Sequence, residues 1–598
     1  MIIRFKNSSN TQHFAKRIRA VAEMSGLEYT LTQEGDIYLQ MENLEEFGKL
    51  GGKYIYNSIF FEGVDAANSV RGGEIADIPL SVGVCQNCIE EMLDADSRRY
   101  YYPFTGCSSC SNQYAFFQNY PFERKNTLMA VFRPCKECLN ELEKNPLRKD
   151  YHLISCIECN IPVVLRDKKS EFWASEADDY RKIFKIAANA LRDGKSVAIK
   201  TLNGYKRFFL NPKEGLKLMI CDLEEAKKSL LLLDHELKAL FSIERPEIYA
   251  TLTSDNLKKS LGPVATLKAF DDGFTLLLTK EFAGEDFIFF DEGKEADLVM
   301  DYMLETNTLK ETHLFFNRHH KFISKGERGI LPQNLLCDKT VFYKNYLLHN
   351  GILDIQERFG EVLASSVVTF EEDVAEHPIV VKKDAAAAAL RAVMREHGIK
   401  EDALGLYFGD EKRVYYIKED EEKTIFEFGD IKPNLLKRME NLREGSFKLV
   451  KKYTHAYGDG FEKSGDFWKI CAALTGQNGG FERLNRLAMG FGGKGGVSVD
   501  CKIVENRFDY ESFFASLMSY RLAGVDSVLL AYSIFESLGE FLSGSIKEVG
   551  LKTGVTEFLI AGPYIANSAF FSRFVKNLPM VKTNKSLPVD GLNTLLGV

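Results

Sequence analysis

Eight of the twelve cysteines fall into four Cys-x-x-Cys pairs: Cys85/Cys88, Cys107/Cys110, Cys135/Cys138 and Cys156/Cys159. Eighteen residues separate the first two pairs, twenty-four the second and third, and seventeen the last two. A Cys-x-x-Cys turn aims two thiolates at one point, and two such turns supply the four soft ligands of a tetrahedral Zn2+ site. The spacing therefore predicts two structural zinc modules. Pairing 85/88 with 107/110 and 135/138 with 156/159 is the simplest arrangement, although an interleaved pairing meets the same spacing. Disulfides are the competing chemistry and require an oxidising compartment. The opening Met-Ile-Ile-Arg-Phe-Lys has no secretory-signal pattern.

The elements that must carry these pairs repeat. After Cys88 and again after Cys138 the chain runs through an acidic and apolar helical turn. Each turn is followed by a basic pair, Arg98-Arg99 or Arg148-Lys149, and then an aromatic, Tyr100 or Tyr151. Two copies of one small module are the expectation.

At 598 residues the chain exceeds a single core, and roughly three to five domains are expected. Apolar content of 45% with 27% charged residues is that of an ordinary globular protein. No apolar run approaches the roughly eighteen residues that span a bilayer, so the reading is cytoplasmic with no membrane partner. A net charge of −8 disfavours nucleic acid as a general partner. Cys221, Cys337, Cys471 and Cys501 stand singly and read as small buried hydrophobes.

Hydrophobic periodicity places a small α/β unit at 1–75. Its expected elements are a strand at Ile2–Phe5, a helix at His13–Ser25, a strand at Ile37–Met41, a helix at Leu44–Leu50 and a strand at Ser58–Glu62. Asp167–Ala177 reads as a polar linker, Tyr180–Asp193 as a helix and Ser196–Thr201 as a strand.

The cysteine spacing, with Arg98–Phe104 before the second pair and Pro121–Arg124 between the modules, resembles the zinc-finger region of the HypF family. That family comprises hydrogenase maturation carbamoyltransferases. They use carbamoyl phosphate and ATP to make the carbamoyl group destined for the iron of nickel-iron hydrogenases, and pass it to a partner protein's cysteine. The resemblance implies a multidomain α/β protein: an acylphosphatase-like domain at 1–75, tandem zinc fingers at 80–165, a YrdC-like domain at 175–300 and a TsaD-like, actin-type ATPase domain at 301–598. Ala190–Thr201 resembles the entry to the YrdC-like domain, and Lys200 matches the lysine that faces nucleotide there. Arg328–Pro332, Ser464–Trp468, Leu559–Asn567 and Leu587–Asn593 resemble motifs of the last domain. Partners implied are a HypE-like carbamoyl acceptor or a catalytic HypF.

Several motifs depart from the family. Gln12 stands where the acylphosphatase loop has its arginine, and Thr32 or Gln33 where it has its asparagine. An amide cannot replace the guanidinium fork that grips a phosphate. The basic segment after Lys200 is missing. Two metal-binding histidines fall at Ala387 and Ala389 or their immediate neighbours, and a methyl group ligates nothing. The Asp-Gly-Thr-Gly-Tyr-Gly loop has moved or lost its aspartate within Leu406–Glu411. Asp384 reads instead as the N-cap of an alanine helix. His319-His320 reads as a surface pair, and Gly490–Gly496 as a flexible connector without a Walker A ending. These departures argue against carbamoyl transfer by this chain. The alternative is a non-catalytic zinc-binding paralogue acting as a scaffold, with ATP as a cofactor only if Lys200 serves it.

Overall fold

Phe14, Ile18, Val21 and Ala22 recur at helical spacing, and in a computed structural model of the chain they line the buried face of the helix His13–Met24. The structure describes residues 1–9, 11–73, 75, 77–119, 121–318, 320–330, 384–418, 421–432, 435, 439–441, 444–448, 450–451 and 466–590, with the backbone of five short strands between 333 and 380. Two units divide the chain: residues 1–261, 265–313 and 326–381 form the first, and 262–264, 314–325 and 382–598 the second. Among the described residues no helix is long and apolar enough to cross a membrane.

In the first unit, the helices His13–Met24 and Leu44–Tyr54 accompany an antiparallel sheet. Its strand order is Tyr29–Glu34, Asp36–Met41, Ile2–Asn7, Phe61–Ala66. Asn43 caps the second helix by accepting from the Glu45 N–H. The strand expected at Ser58–Glu62 begins instead at Phe61. The reason is tertiary: Ser58 and the Ile59 N–H are claimed by the buried Glu244 carboxylate, so those residues leave the ladder.

A larger mixed sheet follows. Val197–Thr201 lies between Gly204–Phe209, to which it is antiparallel, and Leu298–Tyr302, to which it is parallel. The stretch expected to be a linker carries the strand Glu171–Ala174, hydrogen-bonded to Val163–Arg166. Trp173 is exposed on that strand, so its alternation is muted and reads as polar. The helix Ala177–Arg192 buries Tyr180, Ile183, Phe184, Ala187 and Leu191 at helical spacing.

The cysteine-bearing segment is seated against this sheet. Phe104 packs edge-on against Phe274 and Tyr302, with ring centroids 5.2 and 5.1 Å away. Gly273 opens the helix Gly273–Lys280 directly beneath, and a Cβ there would lie 2.2 Å from the Pro103 carbonyl oxygen. Only glycine permits that approach.

In the second unit, the strands Ala403–Phe408, Lys412–Lys418 and Glu421–Glu427 form an antiparallel meander. Glu557–Ala561 pairs with the first of them in parallel. The helix Ala385–His397 packs on this sheet through Ala386, Ala387, Ala389, Leu390 and Val393. As expected, its N-cap is Asp384, which accepts from the Ala386 N–H. The 27-residue helix Ser527–Thr553 and the helix Ser568–Asn577 close the other core.

Candidate zinc centres and the residues around them

Each Cys-x-x-Cys pair at 85 and 135 ends in a helix, Gln86–Leu93 or Lys136–Lys144, with its first cysteine at the N-cap. The structure brings the eight cysteines into two groups, Cys85/Cys88/Cys107/Cys110 and Cys135/Cys138/Cys156/Cys159, so the pairs are not interleaved. In the first group Cys85 and Cys107 are 3.9 Å apart at sulfur, Cys107 and Cys110 3.3 Å, and Cys88 and Cys110 3.7 Å. In the second, Cys135–Cys156 and Cys138–Cys159 are each 3.7 Å, and Cys156–Cys159 is 3.9 Å. Zn–S bonds of about 2.3 Å give a tetrahedral edge of about 3.8 Å. Both groups fit a zinc-finger module by donor chemistry and size.

Charge around the thiols fits as well. Hydrogen bonds from Cys110, Cys85 and Cys88 hold Cys107 well below the usual thiol range, and Arg17 adds to the effect. Hydrogen bonds from Cys138 and Cys156 bring Cys159 down to about 3. Cys88 and Cys138 are pushed up, chiefly by hydrogen bonding within their own groups. Cys85 is lowered as well, and burial pushes Cys110 up, so each group holds both thiols that ionise readily and thiols that resist until a cation balances them.

Four thiolates on Zn2+ leave two negative charges, and the repeated basic pairs meet them crosswise. Arg98, which follows the first helix, donates to Cys156, Cys138 and Cys135 of the second group at 3.2, 3.3 and 3.5 Å. Arg148, which follows the second helix, reaches Cys88 of the first group at 3.9 Å. Burial opposes the Arg148 charge, yet Cys88 and Glu91 hold it charged. Arg99 is fully buried and bridges Glu91 at 2.5 Å and Glu141 at 2.9 Å. Arg148 pairs with Glu91 as well. The basic pairs are visible in the sequence and their targets are not; their identical offset from Cys85 and Cys135 is the one signal of a shared role.

Lys200 lies in the strand Val197–Thr201, buried. Its ammonium donates to the Leu304 carbonyl at 2.8 Å and the Tyr302 carbonyl at 3.4 Å, with the Asp301 carboxylate 3.6 Å away. Nearby, Lys206, Lys268 and Arg328 surround the buried Asp271 and the half-buried Glu311 at 2.6–3.7 Å. A cavity of about 640 Å³ opens beside them, between Tyr205, Lys206, Glu311 and Thr308. Its basic side chains are already matched by carboxylates.

The remaining sites separate. Gln12 is buried at the N-cap of His13–Met24, where the family loop has its arginine. Thr32 donates to the Arg71 carbonyl at 2.5 Å, and the Gln33 amide to the Thr11 carbonyl at 3.3 Å. Ala387 and Ala389 are buried in the sheet-facing core. The glycine loop expected at 490–496 to be a flexible connector is anchored at both ends: the Gly496 N–H donates to Glu536 at 2.7 Å, and a Cβ on Gly490 would lie 2.3 Å from Pro263. Gly490 and Gly496 serve close packing, whereas Gly492 between them faces open space. Cys471 is fully buried, Cys221 and Cys501 are half-buried, and Cys337 lies outside the described residues, as do His319, Leu331-Pro332, Ser464-Gly465 and Gly591–Asn593.

A profile of the HypF finger matches residues 84–117. The carbamoyltransferase HypF of Rhodobacter capsulatus is 29% identical over 146 residues, which is 24% of this chain and 18% of that protein. The chain thus aligns with less than a fifth of the length of this relative. In fold, the match runs end to end. A full-length HypF in its phosphate- and nucleotide-bound form is covered to 97%, with a TM-score of 0.69 and 16% identity. The HypF of T. kodakarensis is covered to 97%, with a TM-score of 0.75 and 14% identity. Fold and finger together define a multidomain α/β protein of HypF architecture with two zinc-finger modules. The chain therefore carries a HypF-type finger and has the fold of full-length HypF from end to end.

Proposed function

We propose that the chain is a HypF-like protein of nickel-iron hydrogenase maturation that works in the cytoplasm. One Zn2+ sits on Cys85, Cys88, Cys107 and Cys110, and a second on Cys135, Cys138, Cys156 and Cys159. The metal supplies folding free energy and no reactive position, because all four places around it are taken by sulfur. The observation that carries this reading is the shared architecture over the whole chain, joined to a matching finger. The relatives' ATP-dependent passing of a carbamoyl group to a cysteine of a HypE-like partner is the activity this implies.

A second reading, a non-catalytic paralogue that scaffolds a HypE-like acceptor or a catalytic HypF, draws on specific side chains. Lys200 spends its protons on the Leu304 and Tyr302 carbonyls. Methyl groups fill the core at Ala387 and Ala389. A triphosphate needs clustered free cations or a backbone nest, and Lys206, Lys268 and Arg328 are matched by carboxylates. Calorimetry with ATP on zinc-loaded protein, with and without carbamoyl phosphate, tests both. Micromolar ATP binding supports the transferase; no heat from folded protein supports the scaffold.

A further inference from the structure

Buried lysines need an explanation, because an unpaired ammonium in an apolar setting is costly. Lys206 and Lys268 have one: each lies within 3.4 Å of both Asp271 and Glu311. Lys412 has no such pairing. It opens the strand Lys412–Lys418 and is 8% exposed. Among the described residues no carboxylate oxygen lies within 4.0 Å of its Nζ, and its hydrogen bond goes to the Asp410 carbonyl at 3.2 Å. Instead, the rings of Phe467 and Tyr564 flank it, with centroids 5.5 and 5.4 Å away.

Lys412 borders a cavity of about 330 Å³, within the range of small-molecule sites. Phe428, Phe467, Trp468, Tyr510 and Tyr564 supply its apolar walls. Among the described residues the buried Trp468 indole N–H has no acceptor, a vacancy that a ligand oxygen or nitrogen would fill. The rim carries Asp410, Glu411, Glu427, Asp430 and Asp466 against Arg413, so it repels anions. Burial pulls the Lys412 pKa down to about 8, opposed in part by Asp410 and Asp466. A desolvated lysine is a recognised way to make an amine nucleophilic near neutral pH.

We propose that Lys412 is a reactive amine site, at which Nζ condenses with the carbonyl carbon of a small, uncharged aldehyde or ketone carrying a flat ring. The neutral amine's lone pair forms the C–N bond as the carbonyl π pair moves to oxygen, and a proton passes from nitrogen to that oxygen. The resulting carbinolamine loses its hydroxyl with the second nitrogen proton as water, leaving C=N. Amine and carbonyl go in, imine and one water come out, and hydrolysis returns both. The ring stacks between the aromatic walls, and an acceptor atom on it takes the Trp468 N–H. This site falls on the stretches that resemble the ATPase-domain motifs, at Asp410, Asp466 and Tyr564, and it stands apart from the zinc centres.

The test uses the full-length, zinc-loaded protein, benzaldehyde as the probe, cyanoborohydride to trap the imine, and peptide mass mapping. At pH 8 the expected result is one dominant benzyl adduct on Lys412, at least about tenfold above any other lysine, as the difference between a pKa near 8 and the ordinary 10.4 requires. Its yield should climb through about pH 8, and the anionic pyridoxal 5′-phosphate should favour exposed lysines instead. Lys412→Arg should remove that adduct while circular dichroism stays unchanged. Adducts spread over exposed lysines with Lys412 unmodified, or Lys412 reacting only near pH 10, would overturn the proposal. If Lys412→Arg misfolds, the pH profile of the wild-type adduct decides alone.

Discussion

Arg98 and Arg148 each stand thirteen residues after the first cysteine of a helix-bearing pair, and each reaches the other module's cysteines rather than its own. This reciprocal bracing ties two short modules, each too small for a core of its own, into one body. Glu141 joins the brace by pairing with Arg98 at 2.7 Å and Arg99 at 2.9 Å. Outer-shell partners of a metal tune its affinity by about 10–100-fold. Arg98→Ala should therefore speed zinc release from the second module to a chromogenic chelator by about that factor, with the first module's release unchanged. Arg98→Lys should recover only part of the loss, because a point charge cannot reach three sulfurs as a fork does. Equal acceleration of both modules would count against the cross-connection.

Zinc stoichiometry follows from the two four-cysteine groups. Elemental analysis should find two Zn2+ per chain. Cys107→Ser should retain one and lower the thermal midpoint sharply, because structural zinc supplies folding free energy directly. Acidification should release the metal as the thiolates take up protons. A variant as stable as wild type would remove the structural role.

Glu244 is fully buried and accepts from Ser58 at 2.5 Å, His13 at 2.8 Å and the Ile59 N–H at 3.0 Å. Burial alone would raise its pKa, but these donors, led by His13, hold it below the ordinary glutamate value. A carboxylate lowered in the folded state gives stability that is complete above the unfolded value of about 4.3 and is lost as pH falls through the folded value. Glu244→Gln should cost about 3 kcal/mol at pH 7. Denaturant titrations between pH 5 and 3 should show wild type losing more stability than the variant. Parallel losses would place the acid sensitivity elsewhere.

The zinc modules were legible because cysteine chemistry fixes both residue type and spacing, whereas which pairs share a site was left to the fold. The Asp384 cap was legible for a similar local reason. What the sequence hid depends on distant partners. Lys200 looks like any lysine at a strand's end until the Leu304 carbonyl arrives from about a hundred residues away in the chain. Gly490 and Gly496 suggest slack, whereas Pro263 and Ser533 are the reason for glycine there. Glu171–Ala174 reads as linker because an edge strand with an exposed Trp173 loses its alternation. Lys412 shows nothing in sequence, since the lack of a carboxylate beside it among the described residues is a property of the fold alone.

Ala387 tests how completely the second unit has been rebuilt. If the helix Ala385–His397 merely lacked its ligands, histidine at this position would face a waiting metal site. The packing argues otherwise. Ala387 is 1% exposed, and its face of the helix meets a sheet in which Gly405 already lies close to Leu390: a Cβ there would come within 2.7 Å of Leu390 Cδ1. An imidazole adds several heavy atoms where one methyl fits, and overpacking of this kind costs about 1–3 kcal/mol. Its polar nitrogens would also need partners in a cluster made mostly of aliphatic side chains, where the Tyr415 hydroxyl already donates to Asp384. Ala387→His, alone or with Ala389→His, should therefore lower the thermal midpoint and leave bound metal at the two equivalents of the zinc modules. A third equivalent of tightly held metal, with stability kept, would show that the surrounding shell of a metal site has survived the loss of its histidines.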